Sequence, residues 1–202
     1  MLLLCSDGLS SKSLRSALAE RLRNCRSAAL VVTADNEYKK QNHHVPRCMD
    51  ELKALGLSVA LFDLDTHPCR LLNGYDVVEF IGGNPFYLLD AVRKSGAEAV
   101  LREIAADKLL IGWSAAAFVF GPSLELVSRY SPEMNFMGLT DLRGLGLTEI
   151  QVLPHYSRFC KRFKNFEETC REYERSQGIN VLRLNDGDGV FIDGGAVTLF
   201  RG

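Results

Sequence analysis

The stretch Leu109-Leu110-Ile111-Gly112-Trp113-Ser114-Ala115-Ala116-Ala117 decides how this chain is read. The apolar run from Leu109 to Gly112 has the length of a buried strand, and the small residues after it suit the first turn of a helix. A strand that feeds directly into a helix is one βα unit, the building block of a parallel sheet. The turn also presents one hydroxyl. A sharp strand-to-helix turn lifts such a side chain out of the sheet and points the first helical amides at whatever it attacks. The bland alternative is that Ser114 merely caps the helix.

The same grammar repeats outward from this stretch. Upstream, Leu2 to Cys5 reads as a strand, and Ser11 to Cys25 as a helix with Leu14, Leu18 and Leu22 on one stripe. Ala28 to Thr33 and Val59 to Asp63 read as strands, separated by a helix from Val45 to Leu55 that Gly56 is placed to end. Val77 to Ile81 is a further strand, and Pro85 to Lys94 a helix in which the early proline is harmless. Downstream come a strand from Glu149 to Leu153 and a charged amphipathic helix from Arg158 to Ser176. Asn180 to Leu184, Gly189 to Ile192 and Ala196 to Phe200 read as short strands joined by Asn/Asp/Gly turns. The expected fold is α/β: a mostly parallel sheet with helices on both faces, three layers deep, ending in a C-terminal β-hairpin. No linker, repeat or low-complexity stretch divides it, so residues 1–202 are read as one domain.

Composition narrows the class of function. The chain has 202 residues, 47% of them hydrophobic, enough for a substantial core. A formal net charge of −1 argues against nucleic acid or an anionic membrane as partner. Six cysteines are scattered without a CxxC pair and are expected to be reduced. The apolar start, Met1 to Leu4, is too short for a secretory signal, and no run reaches the ~18 apolar residues of a membrane span. A cytoplasmic location is therefore expected.

In open parallel sheets ligands bind at the carboxyl ends of the strands, and three strand ends carry chemistry. Phe80-Ile81-Gly82-Gly83-Asn84-Pro85-Phe86 offers a turn with freely oriented amides that could face an oxyanion. Ser114 ends the next strand, with Ala115 supplying a second amide donor. Val152-Leu153-Pro154-His155-Tyr156 places an imidazole at the end of a third. Of the four histidines, His43 and His44 fall in a polar stretch read as exposed, and His67 precedes a loop proline. His155 alone is positioned to act as general base for Ser114. The histidines lack HExxH spacing and Gly82-Gly83 belongs to no nucleotide-binding pattern, so neither a metal nor a cofactor is expected.

Gly82-Gly83-Asn84-Pro85-Phe86, Gly112-Trp113-Ser114-Ala115, Gly121-Pro122 and Leu153-Pro154-His155-Tyr156 together resemble the signature segments of peptidase E, the aspartyl dipeptidase group of the S51 serine peptidases, which also contains cyanophycinase. The resemblance runs over roughly the whole chain. It implies a fold similar to class I glutamine amidotransferases with serine in place of the cysteine nucleophile, and hydrolysis of short peptides with an acidic N-terminal residue. Carried over by position, it implies Ser114 as nucleophile, His155 as base, Gly83 and Ala115 as oxyanion donors, and Asn84 lining the pocket. One departure stands out: the family has glycine two residues after the serine, whereas Ala116 occupies that place, where its methyl group could narrow the pocket. The resemblance implies an acid between serine and histidine. Glu133 is the expected choice, ahead of Glu125, read within a strand, and of Asp141 and Glu149. Recognition of an acidic residue requires a cation, for which Arg158 is expected, beside Arg162 on the same helix face. The expected partner is a small peptide, bound by a monomer or homodimer. The competing readings are an amidase or esterase using the same rim, and a non-catalytic binding protein of the same fold.

Overall fold

A computed structural model describes all 202 residues. Its centre is a seven-stranded sheet in the order β3-β2-β4-β5-β1-β8-β9, built from β1 (Leu2–Cys5), β2 (Ser27–Val31), β3 (Ser58–Phe62), β4 (Val77–Phe80), β5 (Leu109–Trp113), β8 (Gly189–Asp193) and β9 (Ala196–Phe200). The first five strands are mutually parallel, while β8 and β9 form an antiparallel hairpin added beside β1. The parallel strands other than the edge strand β3 are buried on both faces, and the period-2 alternation of the strand sorts their side chains between two cores. Leu2, Leu4, Val78, Phe80 and Leu110 join a core of 36 buried residues on one side. Leu3, Cys5, Val77, Ile81, Leu109, Ile111 and Trp113 join one of 19 on the other.

The smaller core is covered by α1 (Lys12–Arg21) and α2 (Val45–Ala54). Ser11 caps α1 by accepting from the Leu14 amide, and Leu14 and Leu18 form its buried stripe. The larger core is covered by α3 (Pro85–Ser95), α4 (Ala97–Asp107), α5 (Ala115–Phe120), α6 (Glu125–Tyr130) and α8 (Phe166–Gln177), with the short α7 (Tyr156–Arg162) packed against it.

Three expectations change. Glu125 opens helix α6 rather than lying in a strand, because Leu124, Leu126 and Val127 are buried on a helical face. The expected helix from Arg158 to Ser176 is two helices, separated where Asn165 adopts a left-handed conformation (φ 56°). The strand before His155, β6 (Gln151–Leu153), does not enter the main sheet. It pairs in parallel with β7 (Val181–Arg183) in a separate two-stranded sheet.

Candidate active site

The carboxyl ends of three contiguous strands, β4, β5 and β1, supply Gly83, Ser114 and Ser6. Ser114 sits at φ 53°, ψ −111°, a conformation unfavourable for a residue with a Cβ, and its side chain makes no cap on α5. The N-cap alternative is thereby removed. The turn is this tight because Gly112 lets α5 fold back on β5: a Cβ there would lie 2.6 Å from the Phe120 ring.

His155 also has left-handed backbone (φ 57°), so two of the four non-glycine residues with positive φ are the expected nucleophile and base. Strain at those two places persists because surrounding contacts enforce it. The main-chain N–H of His155 donates to Ser6 Oγ at 2.8 Å, which ties the small sheet to the end of β1. Its Nδ1 lies 2.5 Å from Asp186 Oδ1, and Ser6 Oγ donates to that same oxygen at 2.9 Å. An Nδ1–H donated to the carboxylate leaves Nε2 with its lone pair free to accept a proton. The ring is buried, with Phe159 edge-on at 5.5 Å between centroids. Burial is the main reason its pKa falls below the ordinary histidine value, and the Asp186 hydrogen bond opposes that fall. Burial pushes Asp186 upward in turn, but its bonds to His155 and Ser6 outweigh this and hold the carboxyl below its usual range.

Ser114 and His155 line one cavity of about 300 Å³ together with Gly83, Ala115, Tyr130, Glu133, Arg158 and Arg162. No hydrogen bond joins the two, as is common before a substrate tightens the constellation. The Gly83 and Ala115 amides make no hydrogen bond within the chain, and both residues line this cavity. Gly83 reaches its orientation at φ 154°, and a Cβ there would lie 2.2 Å from the Ala34 carbonyl oxygen. Glycine is required by both the dihedral and the close approach.

A model of peptidase family S51 matches residues 2–200. The chain belongs to peptidase family S51. An uncharacterized peptidase of Listeria monocytogenes is 31% identical over 157 residues, covering 74% of each chain. Peptidase E of Escherichia coli is 26% identical over 211 aligned positions, covering 98% of this chain and 89% of its own. In three dimensions, a candidate peptidase E protein of Listeria monocytogenes superposes with a TM-score of 0.80 at 25% identity, over 100% of this chain and 98% of its own. A peptidase from an acI-B1 actinobacterium shares the fold, with a TM-score of 0.70 at 15% identity over 100% and 87%. As an S51 member the chain is a peptidase, and no helix in it is long and apolar enough to cross a membrane.

Several expected residues of this family member stand elsewhere than expected. Glu133 lies on the cavity wall but forms no hydrogen bond or ion pair with His155; the carboxylate on the imidazole is Asp186, from the loop between β7 and β8. Glu125 and Glu149 line a different cavity, and Asp141 is held by Arg143 at 2.7 Å and Arg93 at 3.4 Å. Asn84 does not line the cavity. Its Oδ1 caps α3 by accepting from the Phe86 and Tyr87 amides, and its Nδ2 donates to the Met134 carbonyl at 2.7 Å, which fixes the segment carrying Glu133. Ala116 is fully buried and lines neither cavity at Ser114, so its methyl group packs into the core instead of narrowing the pocket. Arg158 does reach the cavity, 3.6 Å from Asp186.

Two residues of the constellation escaped the sequence reading. Asp186 sits in Asn185-Asp186-Gly187-Asp188, whose composition signals only a turn. That turn is clamped: Asp188 accepts from the Asn185 and Gly202 amides and from Arg201, and Asp7 Oδ1 accepts from the Gly187 amide. Ser6 has no motif at all. No group of three or more His, Cys, Asp or Glu side chains is gathered to hold a metal ion.

Proposed function

We propose that the protein is a serine-type exopeptidase that cleaves short peptides after an acidic N-terminal residue, with Ser114, His155 and Asp186 as its catalytic triad. The observation that carries this reading is the strained Ser114 turn opening on the same cavity as an imidazole oriented by a carboxylate. Ser114 Oγ attacks the scissile carbonyl carbon while its proton passes to His155 Nε2. The tetrahedral oxyanion is received by the Gly83 and Ala115 amides, which have no other acceptor to release. When the C–N bond breaks, the imidazolium returns the proton to the departing amine. Water then attacks the acyl-Ser114 ester by the same proton route. Asp186 holds the productive tautomer and stabilises the transient imidazolium.

Recognition follows from charges on the cavity wall. Glu133, exposed and without an ion-pair partner in the chain, is placed to receive the substrate's α-ammonium, the group an aminoterminal exopeptidase must read. Arg158 and Arg162 are placed to receive an acidic side chain. The aromatic wall of Tyr130, Phe159 and Phe163 favours a second reading, in which the N-terminal residue is apolar. Steady-state hydrolysis of Asp-Leu, Glu-Leu, Leu-Leu and Phe-Leu by the wild type and by Ser114→Ala separates the two. The leading reading expects Asp-Leu to be the best substrate, with turnover abolished in the variant. Preference for Leu-Leu or Phe-Leu selects the second reading, and unchanged turnover in Ser114→Ala overturns both.

A further inference from the structure

A second cavity, of about 390 Å³, shares Gly83, Ser114, His155 and Arg158 with the first, but the rest of its lining is opposite in character. Trp113 is its one hydrophobic lining residue. The remainder is polar: Arg47 and Arg158 are matched by the carboxylates of Asp7 and Asp186, and the imidazoles of His43 and His44 stand beside them. Both carboxylates are already committed. Asp186 serves His155 and Ser6, and Asp7 Oδ1 accepts from Ser10 and the Gly187 amide. Arg47 is likewise occupied, donating to Glu51 at 2.7 Å and to the Asp7 carbonyl at 2.8 Å.

The imidazoles of His43 and His44 are different. Neither has a hydrogen-bond partner in the chain; His44 is half-buried and held against Trp113, while His43 is exposed and lies against the His44 ring. The His44 ring stands edge-on to Trp113 at 5.4 Å, and the His43 ring lies 3.9 Å from it. Their loop is pinned from below: the His44 amide donates to Asn42 Oδ1 at 2.7 Å, and Asn42 Nδ2 donates to Asp35 Oδ2 at 2.6 Å. Lys39, in the same loop, is anchored on Asp63 and Asp65. Imidazole N–H donors without a partner in the chain, one of them fixed in advance against Trp113, are arranged for an acceptor such as a carboxylate. Burial, followed by His43, Arg47, Arg158 and His155, holds His44 below the ordinary histidine pKa.

We infer that this cavity receives the residue on the leaving side of the scissile bond, and that His43 and His44 are specificity-determining residues that bind its free α-carboxylate. The assignment rests on hydrolysis at Ser114 as proposed above. The leaving amine takes its proton from His155, which lines both cavities, and the Asp186 carboxylate behind the imidazole lines only the second; of the oxyanion donors, Gly83 lines both cavities and Ala115 only the first. A dipeptide places its carboxylate two bonds beyond the scissile nitrogen. A longer or amidated peptide has a neutral amide there, so the pair of histidines would read substrate length.

Calorimetric binding of Asp-Leu and of Asp-Leu-amide to Ser114→Ala protein tests this without turnover. The acid is expected to bind at least tenfold more tightly than the amide. Adding His43→Ala and His44→Phe, which keeps the ring on Trp113 but removes its N–H groups, should shrink that ratio below threefold, and His44→Gln should restore part of it. Equal affinities for acid and amide overturn the inference, as does a tenfold ratio that survives the His43/His44 changes. A circular dichroism melt confirms that each variant folds. The catalytic reading fails separately: carboxylate preference in the Ser114→Ala protein with no peptide turnover by the wild type removes hydrolysis and leaves the carboxylate site standing.

Discussion

Glu79 offers the most quantitative test of the packing described here. It is fully buried on β4 with neither carboxylate oxygen in good hydrogen-bonding geometry, among Glu51 and Arg47 of α2, Cys5, Cys48 and the Trp113 indole. Burial, reinforced by repulsion from Glu51, raises its pKa from 4.5 to about 8 against the opposing pull of Arg47 and the Trp113 N–H. The folded protein therefore keeps a proton that the unfolded chain releases above about pH 4.5. Stability is fully present below that pH and is lost as pH rises toward about 8, at 1.36 kcal/mol per pH unit. Across that window the loss attributable to this one group is on the order of 5 kcal/mol, large against a typical domain stability of 5–15 kcal/mol. Glu79→Gln keeps the shape of the protonated side chain and cannot ionise. Near pH 4.5 the two proteins should be about equally stable, and near pH 8 the variant should be more stable by about 3–5 kcal/mol. Urea unfolding of both at pH 4.5, 6, 7 and 8 measures the difference, in which every other titrating group that is unaffected by the change cancels. Parallel stability curves across this range would refute the reasoning: the carboxylate would then have a hydrogen-bonding partner or water when ionised.

Two further outcomes follow from the site. Asp186→Asn should lower kcat by about 10²–10⁴-fold, because the amide cannot fix the imidazole tautomer or offset its charge. Removing the bond that opposes the burial-driven fall of the His155 pKa should also move the acid limb of the kcat/KM profile to lower pH, whereas an unshifted limb in a pH–rate series would place the limiting ionisation elsewhere. Gly83→Ala forces a Cβ onto the Ala34 carbonyl, so the loop must move and take its amide with it; kcat should fall about 10²–10³-fold, the effect of one oxyanion donor, and wild-type kcat in a folded variant would exclude that amide.

Much of this was legible in the residues because the signals were local. The runs at Leu2–Cys5, Val77–Phe80 and Leu109–Trp113, apolar but for Glu79, read as buried strands of a parallel sheet, and Pro85 marked the start of α3, although the capping role of Asn84 was not read. Helix α4 went unread although Ala97, Leu101 and Ile104 form a buried stripe, because α3 and α4 meet at Gly96 with no loop between them to announce a second helix. Asp186, the acid of the triad proposed above, was not legible for a deeper reason. Its position depends on β7 pairing with β6 and on the 185–188 turn docking against Ser6 and Asp7, contacts between residues some 180 positions apart. Chain order gives no help, since triads of the same geometry occur in several sequence orders. His44 was misjudged likewise, since its ring is half-buried against Trp113, whereas His43 is exposed as its polar stretch suggested.

Intact-mass and peptide-mapping measurement after treatment with a fluorophosphonate tests the central claim most directly. The account predicts one covalent adduct per chain, on the peptide carrying Ser114, with labelling lost in Ser114→Ala and strongly slowed in His155→Ala. A protein that turns over peptides while Ser114 stays unmodified, or a label that settles on another residue, would contradict it.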